Sequence, residues 1–146
     1  MTALQAELLK FQLALTQFSQ NMLPEYAEVA TKKIAMDVLR GVVLNTPVDT
    51  GRARGNWQVT TNTPATGQTQ VKTKNGARAI QDGTSKINSA NVADGTTIWI
   101  TNNVPYIERL EDGWSAQKPD GILLPTLNSI RTGTFGGDGG SLETQA

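Results

Sequence analysis

Leu4, Leu8, Phe11, Leu15, Phe18 and Met22 recur at intervals of 4, 3, 4, 3 and 4 residues, with Gln5, Gln12, Gln17 and Gln20 between them. Apolar positions at that spacing fall on one side of an α-helix, so the first twenty or so residues are expected to be helical. Leu9 and Leu13 widen the stripe, which suits a helix packed inside a domain better than one seam of a coiled coil. Packing of this helix on a neighbouring subunit is the alternative.

A second helix is predicted from Pro24, whose fixed φ and missing N–H are tolerated in a first turn. Ala27, Ala30, Ile34, Val38 and Val42 repeat at three and four residues. Glu25 and Glu28 near its start, and Lys32, Lys33 and Arg40 later, agree with the helix dipole. Thr46 precedes Pro47 and is biased away from the α region, which ends the helix by about Asn45.

Beyond it the period changes. Asn56 to Thr63 alternates enough to be a strand, and Thr63 to Gly67 reads as a turn. "TQVKTK" then reads as a partner strand in a hairpin. Residues 75–94 are ambiguous: Ala77, Ala79, Ile80 and Ile87 suit a short helix, but Gly83 and the Ser and Asn content favour a loop. Thr96 to Asn103 is the clearest strand, with Ile98 and Ile100 on one face and Trp99 on the other. A short helix follows around Tyr106, Ile107 and Leu110 and stops at Gly113. Pro125 opens a last one. The expected class is α+β: a small, mostly antiparallel sheet flanked by a long N-terminal helical region and a shorter helix after the last clear strand. The expected organisation is one domain over 1–132, helical to residue 45 and sheet with helix and loops from 46, followed by a flexible Gly-rich tail over 133–146.

Composition narrows the chemistry. The 146 residues contain no cysteine and no histidine. This removes disulfides, thiolate chemistry, Ser-His triads and the usual zinc ligand sets. Thirteen basic and 13 acidic side chains cancel, whereas a dedicated nucleic-acid binder usually shows a basic excess. No apolar run is long enough to span a membrane, and a protein made in a cytoplasm is expected. Neither a cofactor nor a metal is expected.

One stretch, "TPVDTGRARGNW" from Thr46 to Trp57, contains Asp49-Thr50-Gly51, the tripeptide of aspartic proteases. Those enzymes pair two carboxylates that share a proton. Here the tripeptide follows a helix and runs into Arg52 and Arg54, which would hold the aspartate ionised. The architectural reading is preferred. Pro47 presets a turn, Asp49 accepts backbone N–H groups, Gly51 takes a positive φ, and Arg52 or Arg54 ties the corner to a carboxylate elsewhere. A phosphate cradle from Thr50, Gly51, Arg52, Arg54 and Gly55 is a further reading, but the spacing fits no phosphate loop.

The charges are segregated. Lys72, Lys74, Arg78 and Lys86 make the middle loop basic, against Asp82; Glu108, Glu111, Asp112 and Asp120, against Arg109 and Lys118, make the later helix region acidic. Complementary patches on a neutral chain suit a head-to-tail contact that closes a ring. Solvated faces without a partner, or a nucleic-acid module using the Lys72–Lys86 loop, are the alternatives.

Two blocks in order, "TPVDTGRARGNW" and, some fifty residues on, "ITNNVPYIERLEDGWSAQKPDGILLPTL", resemble the tail-completion family of tailed phages, also called tail-terminator, neck or head–tail joining proteins. Pro47, Val48, Asp49, Thr50, Gly51, Arg52 and Arg54 match its first motif. Asn103, Pro105, Tyr106, Leu110, Glu111, Gly113, Ser115, Pro119 and Gly121 match its second, while Ile107 stands where the family usually has alanine. The resemblance runs roughly from Ala27 to Ile130. It implies a structural virion protein without catalysis, assembled in the host bacterial cytoplasm. Its subunits would form a ring, usually hexameric, that completes the tail tube and joins it to the head-completion ring, with DNA passing through the lumen. It also implies that Glu111 and Tyr106 hold the later helix against the sheet. Lys72, Lys74, Arg78, Lys86, Glu108 and Asp112 are the candidate subunit-facing or DNA-facing residues.

Overall fold

A computed structural model describes residues 3–20 and 24–132. Two long helices open the fold, α1 (Ala3–Gln20) and α2 (Pro24–Asn45). A single turn, α3 (Arg52–Gly55), leads into β1 (Trp57–Thr61). After an extended stretch come α4 (Ala77–Ser89), a short 3-10 turn at Val92–Asp94, β2 (Ile98–Asn102), α5 (Ile107–Glu111) and α6 (Leu123–Thr132). This is the α+β class that the periodicities predict. The Gly-rich tail expected over 133–146 lies outside the described residues.

Among the described residues the sheet has two strands. β1 and β2 run antiparallel, with Trp57 opposite Asn102, Val59 opposite Ile100 and Thr61 opposite Ile98. The N–H of Asn62 donates to Thr97 O at 2.7 Å and continues the ladder. Val59, with Trp57, Ile98 and Ile100, turns one face of this ribbon onto Leu39 and Val43 of α2 and Ala79 and Ile87 of α4. Two strands alone are marginal in water, and this helix-covered face supplies the burial that holds them. α6 also packs against α2, with Ile122, Leu127 and Ile130 buried.

Two expectations are corrected. Residues 69–74, "TQVKTK", form no hairpin with β1: the strand paired with β1 is β2, and the backbone of Thr69 is held by the Asn56 side chain instead. Residues 77–89 are helix rather than loop. Gly83 counted against a helix, but it is there because α4 comes so close. A Cβ on it would fall 2.4 Å from Leu39 Cδ2 and 2.8 Å from Val59 Cγ2. Leu39 is fully buried and Val59 nearly so, so neither can yield, and only glycine lets α4 lie on both. The basic stretch is therefore no single loop: Lys72 and Lys74 precede α4, while Arg78 and Lys86 ride on it.

Candidate functional site

The corner after α2 is organised by Thr46 and Arg54. Thr46 is fully buried; its hydroxyl donates to Val42 O at 2.5 Å and accepts the Trp57 indole N–H at 2.8 Å. The last carbonyls of a helix lack internal partners and carry the negative end of its dipole. Arg54 meets both needs: its guanidinium donates to Leu44 O at 3.0 Å, Thr46 O at 2.8 Å and Lys74 O at 2.8 Å. Burial lowers the Arg54 pKa from its ordinary value, yet a guanidinium stays charged throughout the physiological range. The arginine thus serves backbone carbonyls rather than the carboxylate expected for it.

Gly51 sits at φ +88°, and a Cβ there would lie 2.7 to 2.9 Å from the backbone of Thr73 and Lys74. Its carbonyl accepts N–H groups from Gly55 at 2.9 Å and Thr73 at 3.1 Å. The aspartate of the tripeptide does not make the backbone contact expected of it. Thr50 Oγ1, not Asp49, accepts the Arg52 N–H at 3.2 Å, and Asp49 is exposed.

The second block closes on this corner from the other side. Gln117 clamps Val48 with its carboxamide, accepting the N–H at 2.9 Å and donating to the carbonyl at 2.8 Å. The Arg52 guanidinium stands 5.8 Å from the centre of the Tyr106 ring, within cation–π range. Its other contact is a hydrogen bond to Gln68 Oε1 at 2.5 Å. Lys118 Nζ reaches Asn45 Oδ1 at 3.3 Å, and Asn45 Nδ2 donates to Thr126 Oγ1 at 3.0 Å. Between the blocks lies a cavity of about 200 Å³, lined by Pro47 to Ala53 from one side and Tyr106, Leu110, Ser115 and Gln117 from the other.

Glu111 acts elsewhere than at the sheet. Its Oε2 accepts the N–H groups of Ile122 at 3.0 Å and Leu123 at 2.9 Å, which caps the start of α6. A carboxylate suits that position because it meets both free N–H groups and the positive end of the dipole. Gly113, at φ +83°, turns the chain just after α5.

The remaining charged candidates are scattered. Lys72, Lys74 and Lys86 are exposed, as are Glu108 and Asp112 on and just after α5. Arg78 is paired with Asp82 at 2.8 Å, four residues on in α4, which removes most of its contribution to a basic surface.

Asn56 is the residue that pattern reading missed. Fully buried, its carboxamide accepts the Thr69 N–H at 2.8 Å and donates to Thr69 O at 3.3 Å and Arg52 O at 2.9 Å. The side chain stands in for a neighbouring strand's peptide group. An asparagine just after the corner was the one available signal.

Among the described residues no group of three or more acidic side chains could hold a metal, and no helix is long and apolar enough to cross a membrane. Residues 10–113 match the model of the HK97-gp10-like family, described as bacteriophage HK97-gp10, tail-component. The chain belongs to this family of phage tail components. The match runs from within α1 to Gly113, so it starts earlier than the two blocks and covers the corner and the first part of the second. No curated protein and no solved structure matches the chain. As a tail component it is a structural protein of the virion, and its partners are other tail proteins.

Proposed function

We propose that this tail component acts in the neck, as a ring of identical subunits that completes the tail tube and joins it to the head-completion assembly, with DNA passing through the lumen. The observation that carries the reading is the interlocking of the two sequence blocks. Gln117 on Val48, Arg52 on Tyr106 and Lys118 on Asn45 tie them into one joint.

Every buried side-chain nitrogen and oxygen among the described residues has a partner, and Arg54 and Gln117 at the corner hold backbone groups. That suits a rigid building block. The exposed Lys72, Lys74 and Lys86 are opposite in sign to the exposed Glu108 and Asp112, and a head-to-tail contact can set one group against the other. The charges set partner and register more than affinity.

Electron microscopy of the purified full chain tests the ring, and labelling of the protein in phage particles tests its place. Closed rings and label at the head–tail junction are the expected results. Strict monomers at high protein concentration, or label only at the distal tail, would sink the reading.

A further inference from the structure

Residues 69–74 have the form of a strand without a ladder. Burial alternates along them: Thr69, Val71 and Thr73 face the protein, while Gln70, Lys72 and Lys74 are exposed. The inward N–H groups are all satisfied. Thr69 N–H and C=O meet the Asn56 carboxamide, Thr73 N–H meets Gly51 O at 3.1 Å, and Val71 N–H meets Thr69 Oγ1 at 3.1 Å. In an extended chain the next residues present their N–H and C=O groups to the opposite edge. There the backbone groups of Gln70 and Lys72 make no hydrogen bond to any described residue. Neither Lys72 nor Lys74 is ion-paired among the described residues.

We infer that this edge receives an acidic extended segment, residues 133–146 of a second copy of the chain. The inference rests on the ring reading above and names one of its contacts. Edge lysines ordinarily discourage indiscriminate pairing, and here they select a strand of opposite sign. Segment 133–146 carries Asp138 and Glu143 and neither lysine nor arginine. At 14 residues, an extended run spans roughly 45 Å, enough to reach a neighbour and lie along the edge. We assign the donor to a second copy because the start of α6, not its end, lies beside the corner that backs this edge. Its start meets the end of α2 through Thr126 and Asn45, beside the corner, whereas Arg131 near its end pairs with Glu7 of α1 at 3.1 Å. Backbone pairing supplies affinity and the lysines supply register, as in strand-addition complexes generally.

The test uses the full chain. Nitrogen-15-labelled and unlabelled protein are allowed to assemble together, coupled with a carbodiimide that joins amines directly to carboxylates, digested and read by mass spectrometry. Mixed-isotope links from Lys72 or Lys74 to Asp138 or Glu143 are expected, with their loss in the K72E/K74E variant. Amide exchange at Gln70 and Lys72 is expected to slow by about tenfold or more on assembly. Same-isotope links alone would show the segment folding back on its own chain and would overturn the inference. Absence of links in a sample whose particles are rings would overturn it while leaving the ring intact. Absence of rings contradicts the ring reading separately, and whether mixed-isotope links form in that sample still decides the docking.

Discussion

α2 belongs to two different environments along its length. Over its last two turns Leu39, Val42 and Val43 have 0 to 1% of their surface exposed, and the carbonyls that follow are gathered by Arg54. Near its start Tyr26 and Val29 are 60 and 68% exposed, and beside them in the sequence α1 shows Leu8, Leu9 and Leu13 at 37, 44 and 54%. Both regions carry the same helical apolar repeat. The C-terminal half of α2 spends it on α4, α6 and the sheet, whereas this N-terminal pair leaves much of it in water. Periodicity therefore reports that a face is apolar, and only the neighbours decide whether that face stabilises the fold.

The contrast can be broken by substitution. Leu39→Ala leaves a cavity between α2, α4 and β1, with an expected loss of about 2–5 kcal/mol, read as a lower urea midpoint with unchanged slope. Arg54→Ala strands three backbone carbonyls and is expected to cost about 2–3 kcal/mol by the same measurement. Glu111→Ala removes the cap of α6 and is expected to cost about 1 kcal/mol. Its thermal midpoint should fall, while the circular dichroism of the folded state changes little. Leu13→Ser, on the exposed α1 face, should change the stability of the isolated chain by no more than about 0.5 kcal/mol. A loss as large as that of Leu39→Ala would place α1 in the core and erase the contrast.

Much of the fold was legible for physical reasons that lie in single residues. Pro24 opens α2 and the Thr46-Pro47 pair closes it at Asn45, since both act through local backbone sterics. β1 and β2 announced themselves by alternation. Their pairing did not, because the partner of Thr61 is Ile98 and nothing in a strand's own residues names so distant a neighbour. The alternation of "TQVKTK" was real and shows in its burial, but an asparagine side chain took the place of a partner strand. α4 was hidden by Gly83, whose reason is Leu39 more than forty residues earlier.

The site was legible in part. Both blocks were visible as motifs, and they do meet. The roles of their side chains were less so: Arg52 or Arg54 was expected at a carboxylate and Glu111 at the sheet, whereas Arg54 and Glu111 each serve the open end of a helix. Charge pairing is a poor guide where backbone groups at helix ends compete for the same side chains.

The proposed closed neck ring is open to direct observation. Electron microscopy of the assembled full chain tests it most directly. Closed rings with an open lumen wide enough for a DNA duplex are expected. Monomers alone at high concentration, or open filaments in place of rings, would contradict it.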